Sequence, residues 1–219
     1  MPSASYVVKN IIGVCVIMVA AQQILFLSGV NIQKYLALHF ITSPDFKWWQ
    51  FLTYMFMHGA PGDMRLTISH IFFNMFGLYM FGSILENAWG YKRFLIFFLI
   101  CGFGAALCQM GVVLWEFSHS PGEIGAMISQ YWACVGASGA VMGILFAFAY
   151  LYPNTELYLM FIPVPVKAKW AVTGYVVLEL VSGIGNFSGD NVAHFAHLGG
   201  MLFAFIILQV WKRDRKNFY

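Results

Sequence analysis

The chain has 219 residues, of which 60% are hydrophobic and only 10% are charged, and its net charge is +3. An average soluble domain carries about 25% charged residues. This composition therefore excludes a soluble globular domain, a disordered chain and a disulfide-rich scaffold, and it predicts a polytopic membrane protein. Since the Lys and Arg residues form no large basic patch, we expect no nucleic-acid partner.

Long apolar runs of about 20 residues predict membrane-spanning helices. Six such runs follow one another along the chain, over residues 11–30, 67–85, 94–115, 132–152, 168–185 and 191–211. Only helices and closed barrels satisfy their backbone hydrogen bonds in lipid. We therefore expect an all-α, six-helix membrane bundle, with residues 1–219 forming one domain. Residues 31–66 would form a long first external loop, in which the semi-apolar run 48–57 is too short to cross and is expected to be interfacial or re-entrant.

The distribution of basic residues predicts the orientation. An even number of spans places both termini on one side, and nine of the 12 Lys and Arg residues would lie on that side. Because basic residues concentrate in cytoplasmic loops, we expect both termini to be cytoplasmic. The predicted protein is a multi-pass protein of the cell membrane, such as a bacterial inner membrane.

Four polar side chains interrupt the apolar spans near their external ends. Ser138 and His197 each lie six residues inside a predicted span, at a depth of about 9 Å, and both spans run inward from the external face. His70 and Asn74 lie at positions i and i+4 of the second span, on one helix face. Polar side chains in a span are costly, so each is a functional hypothesis. We expect these four residues to meet at one level.

Small residues flank two of these positions and would let the fourth and sixth spans approach closely. Gly139 and Gly143 follow Ser138, while Gly199 and Gly200 follow His197. Taken alone, such small-residue patterns are typical of helix packing, and a single His or Asn in a span can serve an interhelical hydrogen bond. The matched depth of the four polar residues favours a functional site.

The chemistry that these residues predict is acyl transfer. A serine becomes an effective nucleophile when a histidine takes its proton, which assigns these roles to Ser138 and His197. The oxyanion would be stabilised by His70, Asn74 and the backbone N–H of Ser138.

A dyad is expected rather than a triad. Asp190 precedes the sixth span and Glu179 lies on the fifth, so neither is expected to orient His197. His194 is a rival base, but it lies only about 4.5 Å deep.

Three separated motifs resemble those of the rhomboid intramembrane serine proteases. They are an HxxxN motif at residues 70–74, a GxSG motif at 136–139 and an AHxxG motif at 196–200. Their order, the six helices and the long first loop agree over nearly the whole chain. The resemblance implies that Ser138 is the nucleophile, that His197 is the general base and then the acid, and that His70 and Asn74 stabilise the oxyanion.

The resemblance also implies no metal and no cofactor. The implied partners are the lipid bilayer and other membrane proteins, whose transmembrane helices would be cut near their external ends. The oligomeric state stays open. The alternative is a non-catalytic rhomboid-like protein that binds or escorts transmembrane clients, which would be marked by loss of the serine or the histidine. A transporter or channel would show inverted repeats or rings of charge, and the sequence has neither.

The chain departs from the family pattern at three places. Gln50 follows Trp49 where the family has an arginine that supports the first loop, and residues 59–69 are an insertion. Met142 replaces an aromatic residue that packs on the histidine in the family. We therefore expect a missing loop contact and weaker orientation of His197.

Overall fold

The computed structural model describes residues 5–120, 122–158, 164–185 and 193–213, and it is mostly helical. Within these ranges the α-helices are α1 (Tyr6–Leu27), α2 (Gln33–Leu36), α3 (Gln50–Thr53), α4 (Met64–Gly77), α5 (Ser83–Trp89), α6 (Tyr91–His119), α7 (Glu123–Tyr131), α8 (Ser138–Leu151), α9 (Ala168–Gly185) and α10 (His194–Arg213). A π-helical segment, Leu78–Gly82, joins α4 to α5, and a 3-10 turn, Tyr54–Phe56, follows α3. Two antiparallel pairs of two-residue strands complete the fold: β1 (Leu38–His39) with β2 (Ala133–Cys134), and β3 (Glu156–Leu157) with β4 (Val166–Lys167).

Four helices in the described part of the chain are long and apolar enough to cross a membrane. They are Tyr6–Leu27, Met64–Trp89, Tyr91–His119 and His194–Lys212. The multi-pass membrane character predicted from composition is thus supported. The six-span count stays a prediction, because α8 has only 14 residues and α9 is not among the four.

The fourth predicted span begins later than the sequence indicated. Its helix starts at Ser138 rather than near residue 132. The preceding residues pair as β2 with β1, and Gly136 adopts φ 124°, a left-handed conformation that a helix cannot include. The predicted start of the sixth span, residue 191, lies outside the described residues, and α10 begins at His194.

Helix α6 lies at the centre of the bundle and contacts α8, α10, α5 and the first loop. Its Phe94, Phe97 and Phe98 side chains are fully buried in the core. The first-loop segment that contains α3 and the 3-10 turn packs on this helix, since the Tyr54 hydroxyl donates to the Gly102 carbonyl over 2.8 Å. The first loop is therefore part of the protein core, and it provides a fixed support for the residues that pack against it.

Several helix ends come together near the end of α5. The carboxylate of Glu86, at the end of the second long helix, accepts hydrogen bonds of 2.9 Å from the N–H groups of Val7 and Val8 at the start of α1. Trp89 contacts Trp211 with ring centroids 5.3 Å apart. The start of α1 and the end of α10 therefore lie at the same end of the bundle.

Candidate active site

Helices α8 and α10 pack backbone against backbone. A Cβ atom added to Gly139 would lie 3.1 Å from the Ala196 carbonyl oxygen, and one added to Gly143 would lie 2.9 Å from the Gly200 carbonyl oxygen. A Cβ on Gly200 would overlap the Gly139 carbonyl oxygen. Only glycine fits this contact, as the small-residue pattern predicted. The contact puts the first turn of α8 beside the first turns of α10.

Ser138 is the first residue of α8 and is half-buried. The N–H groups in the first turn of a helix have no carbonyl partner within that helix, and they form the positive end of its dipole. A serine at this position therefore has its hydroxyl beside backbone donors of the kind that stabilise an anion.

The loop that leads into Ser138 is fastened to the first loop. The Gly136 N–H donates to the Tyr54 carbonyl over 3.0 Å, and the Ala137 N–H donates to His58 Nε2 over 3.4 Å. His58 is fully buried, and sequence reasoning gave it no role. It follows the semi-apolar run of the first loop, and its position there gave no signal that it would reach the serine loop.

His58 and His70 pack edge to face, with ring centroids 5.2 Å apart. Burial, reinforced by the neighbouring His70, lowers the pKa of His58 to about 3, so this imidazole is neutral at ordinary pH. Its Nε2 accepts a backbone N–H, so the ring proton is assigned to Nδ1. His58 thus acts as a neutral acceptor beneath the serine loop.

His70 presents a donor towards the serine. Its Nδ1 accepts the Gly59 N–H over 3.3 Å, which assigns the proton of the neutral imidazole to Nε2. A Cβ added to Gly136 would lie 2.7 Å from His70 Nε2 and 3.7 Å from Ser138 Oγ. The Nε2–H group and the serine hydroxyl therefore lie on the same side of Gly136, the side that a Cβ would occupy.

Asn74 is buried one helical turn below His70. Its Nδ2 donates to the His70 carbonyl over 2.8 Å, which uses one of the two amide hydrogens. Among the described residues its Oδ1 has no hydrogen-bond partner. No hydrogen bond within the described part of the chain uses the second amide hydrogen.

His197 is 7% exposed and is held by an acidic residue. Its Nδ1 lies 3.0 Å from Oε1 of Glu179, whose Oε2 lies 2.7 Å from His194 Nδ1. The expectation that Glu179 does not orient His197 is wrong. Counting residues along single spans gave their depths but not their neighbours, and α9 packs directly on α10.

The ring nitrogens of His197 have different surroundings. When Nδ1–H donates to the carboxylate, Nε2 of the neutral ring carries the free lone pair. The hydrogen bonds of the described residues include none between His197 and Ser138. Hydrogen bonds between catalytic groups are often long in the free enzyme.

Gln50 supports the first loop from a fully buried position. Its Oε1 accepts the His39 N–H over 3.2 Å, and its Nε2 donates to the Asp45 carbonyl over 2.8 Å and to the Tyr35 carbonyl over 3.4 Å. The glutamine itself therefore supplies contacts that support the first loop at the position where the sequence predicts a missing one.

The insertion at residues 59–69 folds against α1. Gly59 and Gly62 adopt positive φ, and Asp63 caps α4 by accepting the Leu66 N–H over 3.0 Å. Gln33, near the start of the first loop, donates to the Gly59 carbonyl. Residues 59–63 thus form a fastened turn, and residues 64–69 form the start of α4, which continues into His70.

A family model and several known proteins that match the chain all point to the same family. The rhomboid domain matches residues 45–213. The chain is similar to RHOMBOID-like protein 12, mitochondrial, of Arabidopsis thaliana, with 33% identity over 157 residues, covering 70% of this chain and 44% of the relative. Rhomboid protease GluP of Bacillus subtilis (strain 168) is 25% identical over 160 residues, covering 73% of this chain and 25% of the relative.

Rhomboid protease AarA of Providencia stuartii is 27% identical over 173 residues, covering 73% of this chain and 54% of that protein. The aligned part of the chain thus spans about half of the length of these relatives or less.

Proposed function

The chain belongs to the rhomboid family, and we propose that it is an intramembrane serine endopeptidase that hydrolyses peptide bonds in or near the external ends of transmembrane helices in other membrane proteins. The observation that carries this proposal is the convergence of the three motif segments. Ser138 and His70 lie against Gly136, and the Gly139–Ala196 contact brings the serine turn to the helix of His197.

In the proposed reaction, Ser138 Oγ attacks the carbonyl carbon of the scissile bond while its proton passes to His197 Nε2. The oxyanion accepts hydrogen bonds from His70 Nε2–H, the backbone N–H of Ser138 and the Asn74 amide. His197 then donates its proton to the leaving amine as the C–N bond breaks. Water then attacks the acyl carbonyl carbon while His197 takes its proton. The resulting tetrahedral intermediate collapses as the bond to Ser138 Oγ breaks and His197 returns the proton to that oxygen, which releases the acid and restores the Ser138 hydroxyl.

The length of α8 is consistent with a site near the external surface. We propose that α8 and α9 also cross the membrane, which completes six spans. The 14 residues of α8 extend about 21 Å, whereas a hydrocarbon core is about 30 Å thick. If α8 ends at the inner edge of the core, Ser138 lies about 9 Å below the outer edge, within reach of external water. The irregular residues 132–137 then fill the remaining depth inside the protein, where non-helical backbone is tolerated.

The test is cleavage of a single-span substrate by the purified chain in detergent. Ser138→Ala is expected to abolish cleavage and labelling by a serine-reactive fluorophosphonate. The matched control is Ser69→Ala, since Ser69 is exposed and its hydroxyl donates, among the described residues, only to the Leu66 carbonyl of its own helix. Equal cleavage by Ser138→Ala and the wild type would refute the nucleophile assignment. A folded wild-type chain that neither cleaves nor reacts with the probe would favour the non-catalytic alternative, a rhomboid-like protein that binds transmembrane clients.

We also propose that both termini of the chain lie on the cytoplasmic side. The distribution of Lys and Arg supports this orientation, and the contacts of Glu86 and Trp211 support ends that share one side. A reporter that is active only in the cytoplasm should be active when fused to either end of the chain. Activity of an externally active reporter at either end would contradict the orientation. The expectation of a bacterial inner membrane gains no support from the relatives, because they include bacterial and mitochondrial proteins.

A further inference from the structure

Glu179 joins two histidines across the contact between α9 and α10. Its Oε1 lies 3.0 Å from His197 Nδ1 and its Oε2 lies 2.7 Å from His194 Nδ1. Tyr175, one turn earlier on α9, forms a further side-chain hydrogen bond to this carboxylate. The carboxylate therefore has a donor on each oxygen and a third donor beside it.

A carboxylate in such an apolar bundle is expensive. Glu179 is only 5% exposed, and an isolated charge in the membrane interior costs several kcal/mol unless it is paired and hydrogen-bonded. The three donors reduce this cost because an ionised carboxylate only accepts hydrogen bonds. A buried carboxylate with these partners is weak evidence for stability by itself. Its effect on the side chains that it bonds is therefore the more informative property.

The partner that matters for chemistry is His197. Donation of Nδ1–H to Glu179 fixes the ring orientation and leaves the lone pair on Nε2, the atom that has to accept the serine proton. The same carboxylate stabilises the imidazolium that this transfer creates.

We propose that Glu179 is a positioning residue that holds His197 as the base for Ser138 and stabilises its protonated form, with His194 and Tyr175 holding the carboxylate in place. This inference rests on the proposed protease function. It extends the site from the Ser–His pair expected from the sequence to a third residue on α9.

The test compares Glu179→Gln with the wild type in the detergent cleavage assay and by the rate of fluorophosphonate labelling. The amide keeps the size of the side chain but loses its charge. We expect kcat and the labelling rate to fall about 100-fold, short of the roughly 10⁴-fold known for an orienting carboxylate in a serine triad, while KM changes little. The control is Thr173→Val, because Thr173 lies on the same helix, is exposed and, within the part of the chain that the structure describes, donates only to the Lys169 carbonyl.

The split between kcat and KM separates a positioning role from a merely structural one. Loss of the carboxylate that holds His197 Nδ1 should slow proton transfer, and so lower kcat and the labelling rate, while KM stays close to that of the wild type.

The outcomes are distinguishable. If Ser138→Ala is inactive and Glu179→Gln keeps the wild-type kcat and labelling rate, the inference is overturned and the protease function stands. If Ser138→Ala cleaves normally, the function itself is overturned. If Glu179→Gln fails to fold, Glu179→Asp carries the test, since it keeps the charge but withdraws the oxygens. Its kcat should fall while KM stays in place, and an unchanged kcat would refute positioning.

Discussion

A Gly200→Ala substitution tests the contact that brings α10 to α8. The added Cβ would overlap the Gly139 carbonyl oxygen, and it would lie 2.6 Å from the Gly139 carbonyl carbon and 3.2 Å from the Gly139 Cα. Carbon atoms in contact prefer separations of about 3.5–4.0 Å. Because all three atoms belong to the backbone, no side chain can rotate away, and the helices have to separate by on the order of 1 Å.

The separation has an expected effect on stability and another on activity. Overpacking of a close contact costs about 1–3 kcal/mol, so the thermal unfolding midpoint in detergent should fall. Misplacing the base relative to the nucleophile by about 1 Å costs about 100-fold in rate, so cleavage should fall even at temperatures where Gly200→Ala is folded. Fluorophosphonate labelling of Ser138 would report the same loss without a substrate helix.

Gly111→Ala is the matched control. Gly111 lies within α6, and a Cβ there would meet nothing within 4 Å. Since alanine favours a helix over glycine by up to about 1 kcal/mol, this variant should be as stable as the wild type or slightly more stable, with unchanged cleavage. If Gly200→Ala matched Gly111→Ala in both measurements, the close backbone contact would not be what sets the site geometry.

Three further predictions concern buried polar groups. Gln50→Ala should lower the free energy of unfolding by about 2–4 kcal/mol, because it removes buried hydrogen bonds of the first loop. The control, Gln209→Ala, loses an exposed hydrogen bond and should change this free energy little. Equal effects of the two substitutions would contradict the role of Gln50. Glu86→Ala should cost about 1–3 kcal/mol because it leaves two N–H groups of α1 without their acceptor, and an unchanged unfolding midpoint would contradict this. His58 takes up a proton near pH 6.5 when unfolded and near pH 3 when folded, so the unfolded state binds more protons between these values. Stability should fall as the pH drops from 6.5 towards 3, by at most about 1.4 kcal/mol per pH unit, and His58→Asn should fall less steeply.

The apolar helices and the family were predictable from the sequence because both depend on local patterns. Long apolar runs are a requirement of the bilayer, and three motifs in order are specific when taken together. The close approach of α8 and α10 was also predictable, since small residues permit backbone contact wherever they line a helix face. The rhomboid resemblance is confirmed by the match over residues 45–213.

The start of α8 was not predictable from hydropathy. Residues 132–137 are apolar enough to continue a span, but their backbone pairs with the first loop through β1 and is turned by Gly136. These partners lie almost 100 residues earlier in the chain. Hydropathy records how a segment partitions into lipid, and it does not record which distant strand takes its hydrogen bonds.

The two departures from the family pattern show a second reason why the site could not be predicted fully from the sequence. Position by position, Gln50 and Met142 suggest a weakened loop and a poorly held base. In the folded chain Gln50 bonds three backbone groups of the loop, and Glu179 holds His197 from a different helix. A motif comparison records whether the usual residue is present, whereas orientation depends on whether any group supplies the contact.

Scarce polarity therefore locates important residues without assigning their roles. Gln50, Glu86 and His58 are as deeply buried as Asn74 and His197, and all five are rare in so apolar a chain. The first three accept hydrogen bonds from backbone N–H groups of their own protein, so their polarity supports the fold. His197 instead bonds through one ring nitrogen to Glu179, and in the proposed reaction its other nitrogen accepts the proton of Ser138. Under that proposal, the bonding partners of each buried polar group, rather than its polarity, distinguish a supporting role from a reactive one.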